Sequence, residues 1–314
     1  MIEVEVRSLT KEYDGHIAVD DISFSIESGK IYGFLGPNGA GKSTTMNMIT
    51  GCLAPTGGTI LVEGHDIYEE QRQAKRHIGY LPEIPPLYLD MTPWEYLLFV
   101  CEIKGIEKQQ RESAVTDAMN KTGVYSVKNR LIRLLSKGYR QRVGIAQAII
   151  GYPEVIILDE PTVGLDPAQI IEIRELIREL GKEHTVLLSS HILSEVSELC
   201  QEVIIINRGK LVARDTPEGL AGRMSAGFRL SMTVEGSEQA VRDALMSTGR
   251  VSDIRVNCIG NGTVSVNAGM EEGAKDAVFY ALAEARLPVH EMKTEKMSLE
   301  EIFLELTAGE KEGK

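Results

Sequence analysis

The stretch GPNGAGKST, residues 36–44, leaves few folds open to this chain. It sits between the apolar run IYGFL and the helical-looking TTMNMITG, and it matches G-x-x-x-x-G-K-[ST] in the strand–loop–helix context that gives the pattern its meaning. Glycines let successive backbone N–H groups converge on one point, and the following helix N-terminus adds its positive end, so the stretch reads as a cradle for a phosphate chain. Lys42 is placed to reach the outer phosphates and Ser43 to offer a hydroxyl to Mg²⁺, while Gly36, Pro37, Asn38, Gly39, Ala40, Gly41 and Thr44 complete the loop. A flexible glycine loop is the competing reading, and the lysine, the preceding strand and the following helix count against it.

The rest of the pattern supplies an α/β core around that loop. Short Ile/Val-rich runs at 31–35, 155–158, 186–189 and 203–206 read as buried strands of a largely parallel sheet with helices between them. IEVEVRSL, IAVDDISFSI and GTILVEG alternate instead, as half-buried antiparallel strands do. From about 85 to 144 the spacing turns helical, in WEYLLFVCEIKG and RESAVTDAMNKTG, and predicts a helical subdomain inserted into the core. After residue 222 the texture changes through RMSAG into strand 228–234, helix 238–247, strands 251–257 and 263–267, helix 272–285 and strand 289–294. That βαββαβ order predicts a small ferredoxin-like α+β domain over about 226–297. Asn261-Gly262 suits the tight turn between its middle strands, and this reading outweighs the glycosylation sequon Asn261-Gly262-Thr263. Residues 298–307, SLEEIFLELT, carry apolar residues on one helical face and acids on the other, and GEKEGK reads as a solvated tail, so 298–314 forms a C-terminal amphipathic helix and tail.

A second feature carries chemistry. VIILDE, residues 155–160, is an apolar strand ending in two acids, and a carboxylate at the end of a buried strand is costly unless a cation or hydrogen bonds compensate it. Asp159 suits Mg²⁺, and Glu160 suits the polarising of an attacking water. An ordinary strand end with two solvated acids is the alternative, weakened by the metal ligand that a phosphate loop requires.

In order, the chain carries GPNGAGKST, IGYLPE, LSKGYRQR, VIILDEP, GLDP and SSH, and over residues 1–222 it resembles the ATP-binding subunit of ABC transporters, of the type pairing with dedicated export permeases for drugs, antibiotics or polysaccharides, or acting in gliding motility. The resemblance implies a P-loop ABC ATPase domain using ATP and Mg²⁺. It also implies a head-to-tail pairing with a second copy or a paralogous ATPase, in which Ser136 and Gly138 of one chain address the γ-phosphate held by the other and Asp166 links the two sites. Tyr13 resembles the aromatic that stacks on adenine, a core position being its other reading; Ser136 also suits a plain helix cap. His191 resembles the histidine that meets the γ-phosphate and the catalytic Glu160. Glu83 stands where many members have glutamine, as a further ATP contact and metal ligand, and LSKGY has Lys137 and Tyr139 where the commonest signature has Gly and Gln. The C-terminal amphipathic segment is similar to that of the export subfamily.

Composition narrows the partners. With 34 basic against 46 acidic residues the net charge is −12, which disfavours broad contact with nucleic acid or anionic lipid. The four cysteines stand far apart without a CxxC pair, so neither zinc nor a disulfide framework is indicated. MIEVEVRSLTKEYDG lacks a secretory pattern, and no apolar run approaches the ~18 residues of a membrane-spanning helix. The expectation is a peripheral protein on the cytoplasmic side of the cell membrane, held there by a membrane permease, with no nucleic acid partner. A soluble ABC ATPase with a regulatory role, or one associated with nucleic acid or the ribosome, is the alternative.

Overall fold

The computed structural model describes residues 1–223, 228–260, 262–296, 301 and 303. They fall into two compact units, Met1–Arg214 and Asp215–Lys314. The division lies before the boundary near 222 suggested by the change of texture. In chain order the first unit runs β1 (Ile2–Tyr13), β2 (His16–Glu27), β3 (Ile31–Leu35), α1 (Lys42–Ile49), β4 (Gly57–Val62), β5 (His65–Asp66), α2 (Gln71–Arg76) and β6 (Ile78–Leu81). The helices α3 (Pro93–Ile103), α4 (Lys108–Lys121) and α5 (Lys137–Ile149) follow. The unit then continues with β7 (Val155–Asp159), α6 (Pro167–Leu180), β8 (Thr185–Ser190), α7 (Leu193–Leu199), β9 (Glu202–Asn207) and β10 (Lys210–Asp215).

Two sheets result. The alternating N-terminal strands form an antiparallel sheet in the order β2-β1-β4-β5, turned at Asp14-Gly15, where both residues take the positive φ that a two-residue hairpin demands. The Ile/Val-rich strands form the second sheet, β10-β9-β3-β8-β7-β6, with β9-β3-β8-β7-β6 parallel. Helix α1 is apolar on both flanks because it is packed from both sides: Met46, Met48 and Ile49 join one core with Val4, Ile22 and Ile60 of the antiparallel strands and Phe34, Val155 and Ile157 of the parallel ones. Parallel strands place their carboxyl ends on one edge, so Leu35, Asp159 and Ser190 finish together, which is where open α/β sheets bind ligands.

The segment expected to be helical is α3, α4 and α5, with α5 continuing to Ile149. The Pro-rich stretch before α3 forms no regular element until Thr92 and Glu95 close a capping box around Pro93. At the other end of α5, the Lys104 ammonium donates to the carbonyls of Gln147 (3.3 Å), Ala148 (3.2 Å) and Ile150 (2.5 Å), filling acceptors that a helix C-terminus leaves open. Burial pulls this lysine down to about 8.

One buried group works against the fold. Glu3 in β1 is buried with Oε2 lacking any hydrogen-bond partner, and burial raises its pKa above the ordinary glutamate value, a Thr185 hydrogen bond opposing the shift. A raised folded-state pKa favours the folded form most below the unfolded value of about 4.3, and that advantage is lost as pH rises through the folded one. Glu3→Gln is therefore expected to raise the melting temperature at pH 7.5, with the gain shrinking toward pH 4.5. A lower melting temperature at pH 7.5 would contradict this account.

The second unit contains α8 (Pro217–Arg223), β11 (Phe228–Glu235), α9 (Glu238–Ser247), β12 (Val251–Gly260), β13 (Thr263–Met270), α10 (Lys275–Glu284) and β14 (Val289–Lys296). The sheet order β12-β13-β11-β14, antiparallel throughout, is the split arrangement that βαββαβ connectivity produces. Leu230, Val234, Val266, Val241 and Val278 form its core between sheet and helices. Gly262 has φ +72°, as the turn requires, while Asn261 lies outside the described residues. So does the 298–314 segment, apart from residues 301 and 303.

Candidate functional site

The loop after β3 owes its shape to close backbone approach. A Cβ at Gly36 would lie 2.4 Å from the Ile206 carbonyl oxygen, and one at Gly41, where φ is +106°, would lie 2.5 Å from that of Ala18. Only glycine fits either position. The loop then feeds α1, and beside it lies a pocket of about 410 Å³, within the range of small-molecule sites.

Four titratable side chains meet at this pocket: Lys42, Glu83, Glu160 and His191. The buried Lys42 ammonium donates to the carbonyl oxygens of Gly36 (2.7 Å) and Pro37 (3.3 Å) and stands 3.9 Å from Glu160 Oε1. Burial lowers its pKa from the ordinary lysine value, while the Glu160, Asp159 and Glu83 carboxylates pull it back up. Glu160 is buried too, and its other oxygen lies 2.8 Å from His191 Nδ1, the geometry of an N–H donated to a carboxylate.

Glu160 sits at φ +49°, an unfavourable region for a residue with a side chain, costing about 1–3 kcal/mol. Its N–H donates to Ser189 O and Oγ, both at 3.2 Å, which holds the turn against the end of β8. Asp159, one residue earlier, is buried and accepts a hydrogen bond from the Ser189 hydroxyl. The strand-end acids are thus neither equivalent nor solvated. Asp159 belongs to the ladder, in register with Ser189, while Glu160 is turned to the pocket.

Ser43 and Glu83 line the pocket with oxygen, the ligand type that a hard divalent cation takes, whereas Asp159 lies outside the lining, bound by the Ser189 hydroxyl. Asn38, Gly39, Gly41, Ser43 and Thr44 also line the pocket. Ala40, within the loop, is buried.

The remaining expected residues stand outside that lining. Ser136 caps α5, its hydroxyl accepting from Tyr139 N–H at 3.3 Å, so the cap role is realised. Asp166 caps α6 in the same way through Gln169 N–H at 2.9 Å. The two helix starts adjoin, since a Cβ at Gly138 would come within 2.9 Å of the Gln169 side chain. Tyr13, at the end of β1, is 43% exposed and carries the Lys11 ammonium over its ring at 5.0 Å, which rules out the core reading. Sequence reasoning missed the serine that binds Asp159 and steadies Glu160. The motif SSH contains Ser189, but only strand register shows which of its two hydroxyls faces which acid.

A sequence profile of ABC transporters matches residues 19–163, from β2 to the turn after Glu160. The chain is 42% identical over 211 residues to the bacitracin transport ATP-binding protein BcrA of Bacillus licheniformis, covering 67% of this chain and 68% of that one. The linearmycin resistance ATP-binding protein LnrL of Bacillus subtilis is 31% identical over 305 residues, 97% of this chain and 98% of its own length.

The chain belongs to the ABC transporter ATP-binding family. A solved ATP-binding subunit of an ABC transporter superposes on this ABC ATPase with a TM-score of 0.64 at 30% identity, over 69% of this chain and 91% of that one. That coverage leaves room for the second unit, whereas the likeness to LnrL runs through it. This ABC protein is accordingly an ATP-binding, ATP-hydrolysing subunit. Among its described residues no helix is long and apolar enough to cross a membrane.

Proposed function

We propose that this ATPase powers a separate membrane permease for export, working from the cytoplasmic face as a head-to-tail pair of ATPase domains. The observation that carries the reading is Glu160, a buried acid at positive φ held between the phosphate-loop lysine and a half-exposed histidine at the pocket. Such an acid is placed to accept a proton from water attacking the terminal phosphate, and His191 orients it and contacts the γ-phosphate. Lys42 binds the β and γ phosphates, and Tyr13 offers its exposed ring to adenine. Ser43, Asp159 and Glu83 would hold Mg²⁺, whose charge would offset that of the phosphate oxygens.

Ser136 and Gly138 lie at the N-terminal end of α5, outside the pocket lining, which suits contact with ATP held by a second chain. That second chain is a copy of this one or a paralogous ATPase. The likeness to bacitracin transport and linearmycin resistance proteins supports an antibiotic-like cargo, chosen by the permease.

The permease contact is assigned to the segment following Glu83, where Ile84, Tyr88 and Leu89 are exposed although apolar. Single cysteines at Leu87 or Tyr88, introduced after replacing the exposed Cys52 and Cys258, are expected to crosslink to the membrane subunit in native membranes. Crosslinks confined to positions 228–294 would overturn the assignment.

A further inference from the structure

One further buried acid, Glu195, takes no part in the chemistry proposed for the pocket. Glu195, in α7, is only 1% exposed, whereas Glu198 on the same helix is in solvent. Its Oε2 accepts hydrogen bonds from the Thr162 hydroxyl at 2.9 Å and the Ser190 hydroxyl at 3.1 Å. Ser190 Oγ accepts in turn from Ile192 N–H at 3.0 Å. Oε1 makes no hydrogen bond, and the nearest cation, the Arg174 guanidinium of α6, stands off at 3.6 Å while binding Glu198 at 2.7 Å.

A carboxylate so deeply buried and so loosely paired costs several kcal/mol, and an apolar side chain of similar volume would fill the same space at lower cost. What an apolar residue cannot do is hold two hydroxyls from two segments. Thr162 lies two residues after Glu160, in a turn closed by Val163 N–H to Glu160 O at 3.2 Å. Ser190 immediately precedes His191. Beyond the last β7–β8 ladder pair, Asp159 with Ser189, the Glu160 N–H still reaches Ser189 O at 3.2 Å, and Glu195 adds a side-chain tie further along each segment, at Thr162 and at Ser190.

We propose that Glu195 is a positioning residue for hydrolysis: it ties the turn carrying Glu160 to the segment carrying His191 and so keeps their 2.8 Å contact aligned with the pocket. Glu195 touches neither substrate nor metal in this scheme. The inference rests on the reading of Glu160 as the water-polarising acid. Losing the tie is expected to act on the chemical step, where a misplacement of about 1 Å can cost about 100-fold, and to leave ATP binding alone because Lys42 and the loop are not connected through it.

The test uses the full chain and two pairs of comparisons. Thr162→Val keeps the shape and removes the hydroxyl, whereas Thr162→Ser keeps the hydroxyl. Expected is a kcat about 10-fold lower for Thr162→Val and about 100-fold lower for Glu195→Ala, with ATP affinity within about twofold of the parent and Thr162→Ser close to parental activity. In the nucleotide-free protein the side-chain ¹⁵N signals of His191 are expected to shift in Glu195→Ala and Thr162→Val and to stay put in Thr162→Ser. Should Glu195→Ala not fold, the threonine pair carries the test. Parental kcat in Thr162→Val, equal losses in Thr162→Val and Thr162→Ser, or a loss carried by ATP affinity would overturn the inference. Hydrolysis surviving in Glu160→Gln would instead strike the reading of Glu160 itself, so the two failures are distinguishable.

Discussion

Glu160→Gln is expected to hydrolyse ATP about 100- to 10,000-fold more slowly than the parent while still binding it. Glutamine keeps the length of the side chain and an oxygen that His191 Nδ1–H can reach, so the 2.8 Å contact survives the change. What it loses is the ability to take a proton from water. The pair of chains closed around two ATP molecules should then persist. Phosphate release measures the first effect, and mass in solution with ATP and Mg²⁺ measures the second. Parental phosphate release would remove Glu160 from the chemistry. If Ser136 meets the nucleotide of the other chain, replacing it by a bulky residue in the Glu160→Gln background should return the protein to its unpaired mass. A monomer under every nucleotide condition would leave the paired arrangement dependent on the permease.

The second large effect is expected from Lys42→Ala. This ammonium is the cation that the phosphate loop itself supplies, and it is buried among the carboxylates of Glu160, Asp159 and Glu83. Its loss removes a charge-assisted contact to two phosphates and leaves those acids facing the nucleotide uncompensated. Truncating one member of a buried charged pair costs about 2–5 kcal/mol or more, equivalent to a fall in affinity of about 30-fold to several thousand-fold. Equilibrium titration with ATP at ordinary Mg²⁺ is the measurement, and unchanged affinity would end the assignment of the loop to phosphate.

Much of this arrangement was legible in the sequence because local chemistry and tertiary demand agree there. The buried parallel strands announce themselves as unbroken Ile/Val runs, and the βαββαβ unit as alternating strands around two periodic helices. Strand β6 was harder: Ile78–Leu81 is four residues long and ends at a proline, so nothing in its periodicity separates it from a loop. Strand β10 is half-buried along its length and lacks a clear alternation of faces.

At the site, the loop, the two strand-end acids and His191 were readable from motif order. The tie through Glu195 was not, since in LSEVSEL this acid looks the same as Glu198, and only the packing of α7 against β8 and α6 buries one and exposes the other. Tyr13 was ambiguous for a similar reason, as a tyrosine at a strand end fits a core or a surface equally until the neighbouring strands are placed.

Lys104 gives α5 an unequal pair of ends. One end is pinned by three carbonyl contacts, and the other, carrying Ser136 and Gly138, is held by a hydroxyl cap and by the adjoining start of α6. A rod of thirteen residues is about 20 Å long. Pivoting it by about 10° around the lysine sweeps its other tip through about 3 Å, the difference between touching a phosphate and missing it. On the proposed pairing, a small movement of the helical subdomain about the Lys104 contacts would be amplified at the tip that meets the second chain's nucleotide.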